Sequence, residues 1–540
     1  MEYKKCSSVY GACALIVISL SGCGSSSESG SSPVTDKPGV VVPPVAVEPP
    51  SVEPPPVEPP VVEPPPVVKP VPEMTALHQQ VEHYIDNTTQ WFTDQQLDCT
   101  VEVEQRHALC EPVLVKFSDG HFSQQRVDSK QTILVLDTGM ALQSVLRYRS
   151  RIRATYRYDA QTQRFVEGDP SIAISGVGKK LLSELDQFTF TAPEQTEPRP
   201  GFVPAAWLAD LAKIYTSKVP DDAVDYESQV PHVSHGTMVL GYLAEHNPKA
   251  EFVLLDTGQF LPFALHKDLV CDKAVNALLA KMQTAADSLT SDVIQQHGVE
   301  FINFSGGYTQ GHVRNIFNKH CEGQLTEQEG KALLLAAKPI YDAMFAAPNT
   351  LGVQSGIRKI KGANEHSHAL DALSYPHRTT VYTYTSAQQD TPLDISGQAN
   401  WRSVLNDYAE QFEGHDFIDL FVNFGIGGWL NPEANNSTPK MQSDVFGMRY
   451  APERELHASW AAPVVTSYAV YIQSVQRQQD ENWAFSPAFI KAQMMPSLCP
   501  AKPDDTDKIK AYVRQSEACR IQDPLKFRAD ELNRLKYLDF

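Results

Sequence analysis

Positive charge is scarce: 46 Lys+Arg stand against 65 Asp+Glu, a net charge of −19 over 540 residues. A phosphate-backbone partner is bound by cationic neutralisation, so no nucleic-acid partner is expected. Long apolar runs are also missing. The stretch Ala12 to Leu20 falls far short of the ~20 residues a membrane-crossing helix needs, which excludes a multi-span membrane protein. Cysteine is sparse, nine in all, and no Cys-x-x-Cys pair suggests zinc. His366-Ser-His368 could place two imidazoles on one strand face, but an exposed loop pair is the expectation, and no metal ligand is assigned. The rest is ordinary: 42% hydrophobic and 21% charged residues argue against a wholly disordered chain. The length corresponds to two to four domains at ~100–200 residues each.

Proline is abundant in one place. Of 39 prolines, 16 lie between Pro33 and Pro72. Residues 24–72 are Ser/Gly-rich and then repeat Val-Glu-Pro-Pro, with no apolar periodicity that could build a core. At ~3.1 Å per residue in a polyproline II conformation, about forty such residues reach on the order of 120 Å. Ahead of this spacer, Lys4 and Lys5 followed by the short apolar run read as a signal peptide. Its end, Leu20-Ser21-Gly22-Cys23, resembles the bacterial lipoprotein lipobox, which implies cleavage before Cys23 and lipid attachment to its sulfur. Several acyl chains hold a protein stably on a membrane. Gly24, where inner-membrane retention uses Asp, implies the outer rather than the inner membrane. The expected organisation is 1–22 signal peptide, 23–72 tether, 73–127 N-terminal extension, 128–478 main domain and 479–540 C-terminal extension.

Cys6 and Cys13 leave with the signal peptide and Cys23 takes lipid, so six cysteines remain. Fifteen pairings are open to six cysteines. In an oxidising envelope, short loops favour Cys99 with Cys110, Cys271 with Cys321 and Cys499 with Cys519. Apolar spacing over residues 75–95 predicts a helix. Thr132 to Leu136, Phe252 to Leu255, Glu300 to Phe304 and Leu351 to Ser355 read as buried strands. Helical stretches alternate with them: Lys273 to Gln296, and Glu327 to Ala346 with a break at Pro339. This alternation predicts an α/β domain with a mainly parallel sheet, its working residues at the carboxyl ends of the strands.

Two of those runs end in Asp-Thr-Gly, at Asp137 and Asp256, and two such loops invite comparison with an aspartic protease, whose carboxylates share one proton. That family follows the triplet with Ser or Ala. Here Met140 and Gln259 follow, and the reading leaves three other signals unexplained. One is Ser234-His235-Gly236-Thr237, which sets an imidazole at the start of a helix. Another is Ala458-Ser459-Trp460-Ala461-Ala462-Pro463, which sets a serine just ahead of a helix with its proline in the first turn. The third is Phe301-Ile-Asn-Phe-Ser-Gly-Gly307.

Taken in order, Asp137-Thr-Gly, His235-Gly-Thr, the Ser305-Gly306-Gly307 strand end and Ser459-x-Ala-x-Pro resemble the subtilisin-like serine peptidases over roughly residues 128–478. Phe417 to Gly425 is similar to that family's late strand. The resemblance implies a three-layer subtilisin-like α/β fold with small N- and C-terminal extensions. It implies a triad of Ser459 as nucleophile, His235 as base and Asp137 as its orienting partner. Ser305, Gly306 and Gly307 would bind substrate. His457-Ala458 replaces the family's Gly-Thr, and His457 is read as packing rather than as the base. Gly356-Ile357 stands where the family has Gly-Asn, so Asn364 becomes the oxyanion candidate if the residues between form an insertion. The Asp137 to His235 interval is long for the family and implies an insertion within Tyr148 to Pro231. The function so implied is a lipid-anchored envelope endopeptidase, monomeric, acting on polypeptides. The alternative is a catalytically silent binding module of the same fold. Family members often bind calcium and carry an inhibitory pro-segment. Residues 73–127 could supply the segment, but no calcium loop or processing site is legible, so no cofactor is assigned.

Overall fold

The structure, a computed structural model, describes residues 72–120, 131–140, 142–186, 188–190, 199–200, 203–220, 235–247, 250–257, 260–356, 368–384, 418–423, 442–449, 458–480, 482–495 and 520–522. All of them fall in the compact unit Pro65–Phe540. The signal peptide and nearly all of the tether lie outside the described residues, as do Cys23, Asn364, His457, Cys499 and Cys519.

The strands that frame the molecule are β1 (Pro112–Lys116), β2 (Thr132–Asp137), β3 (Ile152–Asp159), β4 (Arg164–Gly168), β5 (Ser171–Ser175), β6 (Glu251–Asp256), β7 (Phe301–Phe304), β8 (Leu351–Ser355), β9 (Arg378–Tyr384), β10 (Leu420–Asn423) and β11 (Arg520–Gln522). Nine of these form one sheet in the order β11-β10-β9-β8-β7-β2-β6-β3-β4. Every pairing is parallel except β3 with β4. The central strands are buried along their whole length, and β2, with its Thr-Ile-Leu-Val-Leu-Asp sequence, is a clear case. A strand covered on both faces needs apolar residues at odd and even positions alike.

The central strands β2, β6 and β7 divide their side chains between two cores. Ile133, Val135, Phe252, Leu254 and Phe301 enter one, while Leu134, Leu136, Val253, Leu255, Ile302 and Phe304 enter the other. The helices of eight or more residues are α1 (Pro72–Asp94), α2 (Gly176–Leu185), α3 (Ala209–Lys218), α4 (His235–His246), α5 (Val275–Ser288), α6 (Gln310–His320), α7 (Glu327–Leu335), α8 (Lys338–Phe345), α9 (Ala458–Gln479) and α10 (Pro487–Met494). The first core holds α4 and α9 with α1 to α3 and α10, and the second holds α5 to α8. Helices therefore cover both faces of a mostly parallel sheet, as the strand and helix alternation predicted. The break expected at Pro339 falls between α7 and α8. Pro339 sits in the first turn of α8, where its missing N–H interrupts no helical bond.

The N-terminal extension is tied to the segment between Asp137 and His235. β1 pairs antiparallel with β5, the Cys99 amide donates to the Lys218 carbonyl at 2.8 Å, and Tyr84 Oη donates to the Leu181 carbonyl at 3.3 Å. Gly176 packs so closely on this extension that a Cβ there would lie 3.0 Å from the Leu109 carbonyl. The interval read as an insertion is thus used twice: β3 and β4 widen the sheet, and β5, α2 and α3 carry the extension. Cys99 with Cys110 and Cys271 with Cys321 are disulfides, as loop length suggested. The C-terminal extension supplies α10 and also β11, whose three-residue run pairs on the β10 edge. Among the described residues no helix is long and apolar enough to cross a membrane.

Candidate active site

β2 carries Asp137 to the carboxyl edge of the sheet and stops there, because Gly139 turns the chain with a positive φ of 66° that a Cβ would strain. Asp137 is 4% exposed. Its Oδ1 accepts from the Thr138 amide at 2.6 Å and from His235 Nδ1 at 2.5 Å. Its Oδ2 is buried with no hydrogen-bond partner among the described residues, so the imidazole is the main counterpart to this carboxylate. A carboxylate only accepts. Nδ1 therefore carries a proton, and in the neutral ring Nε2 holds the lone pair.

His235 is the first residue of α4, and the glycine after it is required by contact. A Cβ on Gly236 would lie 2.8 Å from the Gly139 carbonyl oxygen and 3.1 Å from Asp137 Cβ. The Gly236 amide also donates to the Thr138 carbonyl at 3.0 Å. The helix start and the Asp loop thus close directly on one another. Asp256, the second Asp-Thr-Gly aspartate, is the register neighbour of Asp137 across β2 and β6. Its Oδ1 accepts from the Gly139 amide at 3.2 Å, a bond that braces the loop carrying Asp137.

β7 lies on the other side of β2 and runs into Ser305-Gly306-Gly307. Its one polar residue, Asn303, is fully buried: it accepts from Thr466 Oγ1 at 3.1 Å and donates to Ser305 Oγ at 3.0 Å. Thr466 belongs to α9, so this pair fixes that helix over the end of β7. Ser459, the second residue of α9, then points its Oγ at the Ser305 carbonyl, at 3.5 Å. That distance is at the outer limit for a hydroxyl donor, so the hydroxyl is lightly held. α9 starts two residues earlier than expected, which places Pro463 inside it rather than in its first turn. The carbonyl that a Pro463 N–H would have served is that of Ser459 itself. The Ser459 amide, in the first turn, has no intrahelical acceptor and lies at the positive end of a 22-residue helix.

Asp137 with His235, and Ser459 with Ser305, are therefore brought to the carboxyl edges of adjacent strands. One expectation is corrected. His368 is not an exposed loop residue: it is 5% exposed and its Nδ1 lies 3.5 Å from Asp371 Oδ2, because the Leu370 beside it anchors this turn in the core. Among the described residues no group of three or more His, Cys, Asp or Glu is placed to hold a metal ion. Sequence reasoning missed Gln354, whose Nε2 lies 3.4 Å from the Gly306 carbonyl oxygen, and Asp371 and Arg378, which bond the Gln354 amide. The available signal was a glutamine in the otherwise apolar strand Leu-Gly-Val-Gln-Ser.

No protein-family model matches the chain, and no curated protein matches it. A solved crystal structure of a lanthipeptide protease is similar over 72% of this chain and 88% of its own length, at 13% identity and a TM-score of 0.31.

Proposed function

We propose that this chain is a serine peptidase that hydrolyses peptide bonds with Ser459, His235 and Asp137. The observation that carries the reading is the 2.5 Å bond from His235 Nδ1 to a buried Asp137, which leaves Nε2 as the basic nitrogen at the strand edge shared with Ser459. In this reading Ser459 Oγ attacks the substrate carbonyl as Nε2 takes its proton. The C–N bond then breaks and the leaving amine takes that proton from the imidazolium. Water repeats the sequence in reverse to free the acid. Asp137 stabilises the imidazolium and holds its tautomer. The Ser459 amide and Asn364 serve the oxyanion, and Ser305, Gly306 and Gly307 bind the polypeptide. A carbonyl that develops negative charge gains most from donors already fixed in place.

Cys23 anchors the protein by lipid to the outer membrane, and residues 23–72 hold the peptidase clear of the surface. The test is hydrolysis of a quenched fluorescent peptide library by wild type and Ser459→Ala, both checked for folding by thermal unfolding. Loss of the nucleophile lowers turnover by about 10⁶-fold. Folded wild type with no turnover on any peptide supports the silent binding module instead. Palmitate incorporation in cells, abolished by Cys23→Ser, tests the anchor.

A further inference from the structure

Resting on the peptidase reading, we propose that Gln354 is a positioning residue that fixes the substrate-binding segment Ser305–Gly307 from beneath, with Asp371 and Arg378 locking its amide. Gln354 is fully buried in β8, where an amide without partners would be costly. Its Oε1 accepts from Arg378 Nη1 at 3.2 Å, and its Nε2 donates to Asp371 Oδ1 at 2.8 Å. A guanidinium only donates and a carboxylate only accepts, so the amide has one orientation. Its second N–H is then aimed at the Gly306 carbonyl, 3.4 Å away.

Arg378 is held in turn by the carbonyls of Leu370, Asp371 and Leu373. The next residue after the segment is fixed as well: the Tyr308 amide donates to Tyr341 Oη at 3.1 Å. Burial pushes the Tyr341 phenol well above its ordinary value, with Asp371 nearby adding to the shift, so the hydroxyl stays neutral. With the Gly306 carbonyl engaged below by Gln354, the Ser305 carbonyl is presented toward Ser459. A polypeptide laid along this segment pairs with its main chain, and the pairing depends on how firmly the segment is held.

The experiment compares wild type, Gln354→Met and Tyr341→Phe with two probes. A small fluorophosphonate reacts at Ser459 without pairing along the segment, and an extended peptide substrate requires that pairing. Loss of one hydrogen bond corresponds to about a tenfold effect. Expected is a fall of about tenfold in kcat/KM for the extended peptide, carried mainly by KM, with fluorophosphonate labelling within about twofold of wild type. Tyr341→Phe removes a single oxygen and gives the same pattern even where Gln354→Met lowers Tm too far to assay. The proposal is overturned if folded Gln354→Met cleaves the extended peptide at the wild-type rate, if Tyr341→Phe does so where Gln354→Met does not fold, or if labelling and cleavage fall in parallel, which marks a purely structural role. Wild type that neither labels nor cleaves overturns the peptidase reading itself, a result distinct from the others.

Discussion

Substituting Gly236 by alanine tests whether the close approach of α4 to the Asp137 loop sets the His235 geometry. The added Cβ would lie 2.8 Å from the Gly139 carbonyl oxygen, 3.0 Å from Met140 Cε and 3.1 Å from Asp137 Cβ. Met140 can swing aside, but the other two atoms belong to the loop that carries the aspartate. Ordinary contact begins near 3.4 Å, so the helix start and the loop must separate by about 0.6 Å. The His235 to Asp137 bond, 2.5 Å long, spans that same gap and lengthens with it. Misplacement of a catalytic group by about 1 Å costs about 10²-fold. Gly236→Ala is therefore expected to lower kcat/KM by about 10- to 100-fold, through kcat, with a fall in Tm of a few degrees. Steady-state hydrolysis of a fluorogenic peptide and a thermal melt measure both quantities. Wild-type kcat with an unchanged Tm would show that the Cβ is accommodated and refute the reasoning.

Three further outcomes follow from the same structure. Asp137→Asn replaces an acceptor with a group that can donate to His235, favouring the wrong tautomer, and is expected to reduce kcat by about 10⁴-fold at neutral pH while leaving substrate KM near wild type; kinetics across pH measure it. Removing the Cys271–Cys321 bridge, which spans 50 residues, by a double serine substitution is expected to lower unfolding stability by up to about 4 kcal/mol in denaturant titration. Hydrogen bonds from the Thr100 side chain and backbone, then Lys218, hold Asp98 down at about 2, and bonds from the Thr326 backbone, Lys273 and the Thr326 side chain do the same for Glu329. Both carboxylates are lower in the folded chain than in the unfolded one, so the stability they add is present above about pH 4.5 and is lost as pH falls toward 2. An Asp98→Asn, Glu329→Gln variant is expected to flatten that acid step in Tm against pH.

Much of this was legible in the residues because burial on two faces leaves a continuous apolar run. Thr132 to Asp137, Glu251 to Asp256, Phe301 to Phe304 and Leu351 to Ser355 are strands for that reason, and the Asp and Ser that end them fall at the sheet edge. His235-Gly236 was legible as a helix start, yet the reason for the glycine lies in the Gly139 carbonyl, about a hundred residues away. The joining of β1 to β5 was hidden because both are short strands whose pairing depends on residues far apart in the chain. β11 was hidden for the same reason: three residues among charged neighbours form a strand only because the β10 edge accepts them. Gln354, Asp371 and Arg378 could be read singly as polar residues, but the convergence of the last two on the Gln354 amide requires β8, β9 and the turn around Leu370 to be assembled.

The central claim is that Ser459 is a reactive nucleophile served by His235 and Asp137. The most direct measurement is intact-mass and peptide-level mass spectrometry of the folded protein after treatment with a fluorophosphonate. The account predicts one adduct per chain, located on Ser459, absent in Ser459→Ala and formed at least 10³-fold more slowly in His235→Ala, on the order of the loss expected for a triad member. Folded wild-type protein that forms no adduct, or an adduct that persists in Ser459→Ala, would contradict it.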